Sequence, residues 1–367
     1  MSELFNLVVD LDRHFPTDSL PGIEIAGPAK PDERTLAWID ATFGGFWSSE
    51  TAAGVALVAR RGEEPVGFAT IDPKGLRFAW LDGSSREPGT GIFGPFGVAP
   101  AERGRGLGTR LLRAALNALR GRGFARALIP AVTGEALIRY YADTAGARIA
   151  DRFERPTLYR RRRRVSIMAS GNGSNFQAVL DSVRAAELPV EVVALVSNSA
   201  RAFAVERARD AGIPAHVVPW NRAVEPRNEY DARLLDSARA DRPDLVLMLG
   251  WMHLLDAAFV RAFPEMLNLH PAFLPLDPQR DSVVMPDGCR MPAFRGPHAV
   301  RDALAASSSW VGATLHRVTA ETDRGPVMTR APLRVEPGEE EDSLMERVHE
   351  LERGVVRAGL MRWLYER

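Results

Sequence analysis

Residues 266–275 read MLNLHPAFLP, an apolar run interrupted by Asn268 and His270. Such a run reads as a buried strand, and Pro271 ends it and fixes the turn. Positions two apart in a strand point the same way, so the amide and the imidazole share one face while Leu267 and Leu269 share the other. At the C-terminal end of a parallel strand that face opens on the crevice where ligands bind. A lone core histidine is ordinarily structural; two polar groups on one face of a strand end point to function. A third group lies downstream in GATLHRVTAETDRGPV. The strand read from Gly312 to Val318 carries His316, and Asp323 follows on the loop before Gly325 and Pro326. A carboxylate beside an imidazole raises its pKa and holds it as a cation. Asp323 would do this for His270 if the fold brings them together.

Two glycine loops offer a different chemistry, made of backbone. Ser170-Gly171-Asn172-Gly173-Ser174-Asn175 follows a strand and opens a helix. It lacks the third glycine of the dinucleotide fingerprint, but it sets bare N–H groups at a helix start, which favours an anion such as phosphate. Ser174 and Asn175 can donate or cap; a capped tight turn accounts for the loop equally simply. Arg103-Gly104-Arg105-Gly106-Leu107-Gly108 also lies between a strand and a helix. Its glycines allow close backbone approach, and the helix N-terminus adds positive dipole, an arrangement suited to a pyrophosphate as well as to a plain turn.

The elements that must hold these loops fall into two groups. A chain of 367 residues is too long for one ordinary core and suits two domains. Arg160 to Arg164 punctuate it, and residues 161–165 read as a basic linker between a domain at 1–160 and another at 165–367, rather than as a nucleic-acid patch. Before the run come strands at 55–60, 65–71 and 92–100 and a helix at 109–123 with Leu111, Leu112, Ala115, Leu116 and Leu119 on one face. After it, strands and helices alternate, and the continuously apolar strands indicate a mostly parallel sheet covered on both faces. The fold class is therefore α/β: a mixed α+β sheet domain, then a Rossmann-like one. Formal charge is zero, so nothing draws the chain to nucleic acid or an anionic membrane. No run is long enough to span a bilayer and the first residues lack signal-peptide features. The single cysteine, Cys289, excludes an intrachain disulfide, and no structural-zinc spacing occurs. These features predict a cytoplasmic, metal-free enzyme with small-molecule partners; the oligomeric state is not legible.

RGRGLG makes the first domain resemble the GNAT N-acetyltransferase family over about residues 20 to 159. The resemblance implies acetyl-CoA held at Val98, Arg103, Gly104, Gly106 and Gly108. It also implies a thiolate-protonating tyrosine, here Tyr140 or Tyr141 in ALIRYYADTAGAR. Two aromatics packing a helix on a sheet would give the same pattern.

SGNGSN, SNSARAFAVERARDAG, GWMHLL, NLHPAFLP and LHRVTAETDRGPV, in that order, make the second domain resemble the glycinamide ribonucleotide transformylase family, from about Arg164 to Arg367. The resemblance implies formyl transfer from 10-formyltetrahydrofolate to an amine, with Asn268, His270 and Asp323 catalytic and His316 supporting. It implies a ribose-phosphate grip at Gly171, Gly173, Ser174 and Asn175, and a nucleotide contact at Glu352. It implies folate contacts at Arg227 and at Trp251, Met252, His253, Leu254 and Leu255. One departure stands out: residues 276–294 are inserted after Pro275, beside the catalytic strand, where they could reshape the amine pocket or form a lid. As acceptor the resemblance implies glycinamide ribonucleotide or a related phosphate- or carboxylate-bearing amine. The alternative is an amino-acid-derived amine or hydroxylamine of specialised metabolism, with the acetyltransferase acting in the same pathway.

Overall fold

The computed structural model describes residues 3–75, 78, 81, 87–154, 162–263 and 265–366. It contains two compact units, one built on Met1–Arg160 and the other on Arg161–Met285 and Cys289–Leu364.

In the first unit the elements run β1 (Glu3–Asp10), β2 (Glu24–Ala29), α1 (Glu33–Phe43), α2 (Trp47–Ala53), β3 (Val55–Arg61), β4 (Glu64–Ile71), β5 (Thr90–Val98), α3 (Leu107–Gly121), β6 (Arg126–Val132), α4 (Glu135–Ala145) and β7 (Arg148–Glu154). The strands order as β2-β3-β4-β5-β6-β1-β7. The predicted stripe of α3, Leu111, Leu112, Ala115, Leu116 and Leu119, is fully buried against this sheet. One pairing is incomplete. β4 accompanies β5 as far as Val98, but β6 pairs with β5 only from Thr90 to Ile92. Beyond Ile92 the two strands part and leave an opening.

The second unit runs β8 (Arg163–Met168), α5 (Ser174–Arg184), β9 (Val190–Ser197), α6 (Phe203–Asp210), β10 (Ala215–Val217), α7 (Arg227–Arg239), β11 (Leu245–Leu249), α8 (Ala257–Ala262) and β12 (Met266–His270). It continues with β13 (Ser282–Val284), β14 (Arg290–Pro292), α9 (Ala299–Ala305), β15 (Trp310–Arg317), β16 (Val327–Arg334) and α10 (Glu341–Tyr365). The main sheet orders as β10-β9-β8-β11-β12-β15-β16, with β8 to β12 parallel and β15 and β16 antiparallel. Both faces are covered, which explains why β11 is apolar and buried at all five positions.

One sequence expectation changes. Arg163 and Arg164 are not linker: they open β8, where Arg164 N–H donates to Asp244 (2.8 Å) and its guanidinium to the Asp241 carbonyl. Arg160 and Arg161 lie outside the described residues. Within the insertion, β13 and β14 pair as a separate hairpin.

Candidate active sites

β8, β11 and β12 are neighbouring parallel strands, so the segments that follow them leave the same edge of the sheet. SGNGSN follows β8, GWMHLL follows β11, and Pro271 follows β12. Three stretches distant in sequence meet there because of strand direction.

The polar cluster arises from register. Asn268 lies directly across from His316, and His270 across from Thr314. Asn268 Nδ2 donates to His316 Nε2 at 3.2 Å and reaches Asp323 Oδ1 at 3.4 Å. His316 Nδ1 lies 2.9 Å from the Arg317 carbonyl, so Nε2 is the nitrogen that faces Asn268 and Asp323. Asp323 Oδ2 is 3.6 Å from His270 Nδ1, and Asp323 Oδ1 is 3.5 Å from His316 Nε2. The four side chains singled out in the sequence are therefore brought together.

The charge state of His270 differs from the expectation. Burial, the larger effect, lowers its pKa; the Asp323 carboxylate and the Phe294 carbonyl oppose it without prevailing. The resting ring is thus neutral and not held as a cation. Its Nε2 donates to the Phe294 carbonyl at 2.8 Å, so Nδ1, facing Asp323, is the nitrogen left to take a proton. Asp323 lies well below the usual carboxylate range: burial would raise it, but a hydrogen bond from His316, the charge that His270 carries when protonated, and the Gly296 N–H outweigh burial. That N–H donates to Asp323 Oδ2 at 2.9 Å.

Phe294 and Gly296 escape sequence reading because they act through backbone groups, which have no residue signature. Thr314 had a signal, a polar residue on the same face of β15 as His316. Its hydroxyl donates to the Ala272 carbonyl (2.6 Å) and accepts from Leu274 N–H (3.0 Å), bracing the turn after Pro271. Gly325 is required for another reason: a Cβ there would overlap the Arg317 carbonyl.

At the glycine loop, Gly173 has φ +74° and precedes α5, and a Cβ on it would come 2.7 Å from that of Ala204. Arg207, missed in the sequence, steadies the loop by donating to the Asn172 carbonyl (3.0 Å) and side chain (3.1 Å). Asn175 Nδ2 donates to Glu352 Oε2 at 2.7 Å, joining α5 to α10. Burial pushes Glu352 up to about 7, with Asn175 opposing. Ser170 Oγ accepts from the Met252 N–H at 3.0 Å, tying this loop to GWMHLL.

In the segment after β11, Met252 and Leu254 are exposed apolar side chains, whereas Trp251 is buried. The Trp251 indole N–H has no partner among the described residues, a donor fitted to an acceptor on a heterocycle. Arg227 Nε donates to Asp231 (2.7 Å) and Nη2 to the Leu254 carbonyl, while the guanidinium lies 5.0 Å from the Trp220 ring centroid. The Tyr230 hydroxyl lies 3.1 Å from His253 Nδ1. Burial, then Arg227 and Arg222, lower the pKa of His253.

In the first unit, the opening between β5 and β6 is a cavity of about 940 Å3. Val98, Arg103, Gly104, Gly106, Gly108, Tyr140 and Tyr141 all line it. The three glycines do different work. Gly104 and Gly106 have φ of +74° and +82°, the region that favours glycine, whereas Gly108 allows contact: a Cβ there would sit 3.3 Å from Tyr140 Oη. The tyrosines also separate. Tyr141 is buried, packs on Phe93 with centroids 6.4 Å apart, and burial pushes its hydroxyl far up. Tyr140 Oη is buried and makes no well-formed hydrogen bond among the described residues. Burial raises its pKa, with Thr109 and Arg113 countering in part. A cavity rimmed by a glycine loop, with a protonated phenol on its wall, fits a thioester cofactor. Among the described residues, no helix of the protein is long and apolar enough to cross a membrane.

A family model described as formyl transferase matches residues 163–276 and 288–358, and one described as acetyltransferase (GNAT) family matches residues 21–147. The phosphoribosylglycinamide formyltransferase of Escherichia coli is 35% identical over 192 residues, which are 52% of this chain and 82% of that protein. The trifunctional purine biosynthetic protein adenosine-3 of Drosophila melanogaster is 34% identical over 198 residues, 53% of this chain but only 13% of that protein. The solved glycinamide ribonucleotide transformylase 1 of Symbiobacterium toebii is 32% identical, with a TM-score of 0.48 over 54% of this chain and 86% of that one.

Proposed function

This chain belongs to the formyl transferase family, with an acetyltransferase (GNAT) family segment ahead of it, and from that premise we propose that its second unit transfers a formyl group from 10-formyltetrahydrofolate to the amine of glycinamide ribonucleotide. The observation that carries this reading is the Asn268, His270, His316 and Asp323 cluster on the sheet edge that also presents the glycine loop.

The donor supplies an activated formyl carbon. The amine nitrogen attacks that carbon, the bond to the folate nitrogen breaks, and one proton moves from the amine to the departing nitrogen. Negative charge gathers on the formyl oxygen meanwhile. Asn268 Nδ2 is a donor suited to that charge. Asp323, ionised, accepts the amine's proton through a water. That proton passes from Asp323 to His270 Nδ1, 3.6 Å away, so the ring is cationic while charge stands on the formyl oxygen, and then goes on to the departing folate nitrogen. His316 and Gly296 keep Asn268 and Asp323 aimed. The glycine loop and Asn175 would hold the phosphate and sugar, Trp251 and Arg227 the pterin. In the first unit, the loop from Arg103 to Gly108 would hold the pyrophosphate of acetyl-CoA, and Tyr140 would protonate the departing thiolate. Both activities would take place in the cytoplasm.

The segment 277–287, which the family model does not match, favours a second acceptor: an amino-acid-derived amine or hydroxylamine. Incubation with 10-formyltetrahydrofolate and each amine, followed by the absorbance of the deformylated folate, separates the two. Turnover with glycinamide ribonucleotide is the expected result. Turnover only with another amine overturns the nucleotide assignment, and none with any amine overturns formyl transfer. Calorimetric titration with acetyl-CoA tests the first unit, where absence of binding rejects the cofactor.

A further inference from the structure

The insertion reaches the catalytic loop. Asp281 comes from the unmatched segment and leads into β13. Its Oδ1 accepts from Arg295 Nη1 at 3.1 Å and from Arg324 Nη2. Each arginine also donates to a carbonyl of the insertion: Arg324 Nη1 to Pro278 (3.0 Å) and Arg295 Nη2 to Arg280 (2.7 Å). Both guanidinium groups are thereby fixed in direction. Arg324 is the chain neighbour of Asp323, and Arg295 Nε donates to the Asp323 backbone carbonyl at 3.2 Å.

Asp323 needs such holding. It has φ +52°, a left-handed conformation that costs a non-glycine residue and persists only where its surroundings over-determine it. Asp281 itself is 77% exposed, so its ion pairs add little to stability. What they can do is set an angle. We propose that Asp281 is a positioning residue for formyl transfer, gripping Arg295 and Arg324 so that Asp323 stays aimed at His270 and His316. This rests on the formyl-transfer reading above. It makes the insertion a clamp on the Asp323 loop.

The test uses the full chain and whichever amine the wild type formylates. Asp281→Asn keeps the shape and removes the charge. It should lower kcat about tenfold, the scale expected for a sub-ångström misalignment, with KM for both substrates and Tm unchanged. Asp281→Glu should restore most of the rate. The double variant with Arg324→Gln should be no slower than the slower single, since both act through one contact. Amide exchange across residues 321–325 should rise in Asp281→Asn and stay constant in β12, a readout that needs no turnover. A kcat within twofold of wild type, a loss accompanied by a lower Tm, additive losses in the double variant, or unchanged exchange would each overturn the proposal. A wild type that formylates nothing, with exchange rising as expected, would instead overturn the reading beneath it.

Discussion

The two candidate sites are made of different material. In the second unit the chemistry belongs to side chains and is assembled by strand register: Asn268 opposite His316, with Asp323 delivered by the loop after β15. In the first unit the glycine loop offers backbone groups, at the rim of an opening left by two strands that part beyond Ile92. A side-chain site is broken by changing a functional group. A backbone site is broken by changing a torsion angle. Variants of the two kinds should therefore affect different activities and differ in size.

The largest effect should come from Asp323→Asn. It removes the base and the charge facing both histidines while preserving size. The expected fall in kcat for formyl transfer is about a thousandfold, the range of a lost general acid-base group, with acetyl-CoA binding to the first unit intact. Steady-state rates on the full chain check this, and a rate near wild type would remove Asp323 from the chemistry. Gly325→Ala should come next. The added methyl would meet the Arg317 carbonyl, so the loop must shift and carry Asp323 with it. A displacement near 1 Å predicts a loss of about a hundredfold, again in formyl transfer alone. This would show that even the side-chain site depends on one glycine.

Glu352→Gln probes the other end of the same edge. The folded protein holds the Glu352 proton up to about 7, against an ordinary value of 4.5. Between those values the native state binds more protons than the unfolded chain, so stability falls as pH rises through the interval and levels off above it. The difference is on the order of 3 kcal/mol for a group this buried. Urea unfolding at about pH 5 and about pH 8 should show the drop in wild type and a flatter profile in the glutamine variant. Parallel profiles would mean that Glu352 ionises normally.

What was legible in the sequence follows the same division. Asn268 and His270 could be paired because a strand repeats every two residues, and the apolar runs announced the parallel sheet. The RGRGLG loop could be placed between strand and helix. His270's neutral resting state was not legible, because it depends on how deeply the ring is buried, which sequence does not state. The Asn175–Glu352 hydrogen bond joins residues 177 apart and needs the packing of α5 on α10. The Phe294 carbonyl and the Gly296 N–H are invisible in principle, since every residue carries those groups. Arg295 and Arg324 were hidden among ordinary surface charges until the hairpin supplied Asp281.

The smallest and most discriminating effect should separate two glycines of one loop. Gly106 has φ +82°, and no atom lies within 4 Å of a Cβ placed there. Gly106→Ala therefore meets no clash and carries only the torsional cost, about 1 kcal/mol. Gly108 has ordinary backbone angles, but its Cβ would press on Tyr140 Oη at 3.3 Å, with Phe96 at an ordinary contact distance of 3.5 Å. Gly108→Ala should leave stability within about 0.5 kcal/mol, the scale of an unstrained substitution, and act on the tyrosine instead. Calorimetric melting and acetyl-CoA titration of both variants make the contrast measurable. Gly106→Ala should lower the melting temperature and weaken binding in proportion, as a torsion that opposes the bound loop shape would. Gly108→Ala should melt like wild type and yet slow acetyl transfer, because the displaced phenol no longer meets the leaving sulfur. If both variants lose stability equally, the loop is a turn whose glycines serve the fold, and the backbone-site half of the comparison fails while the side-chain half stands.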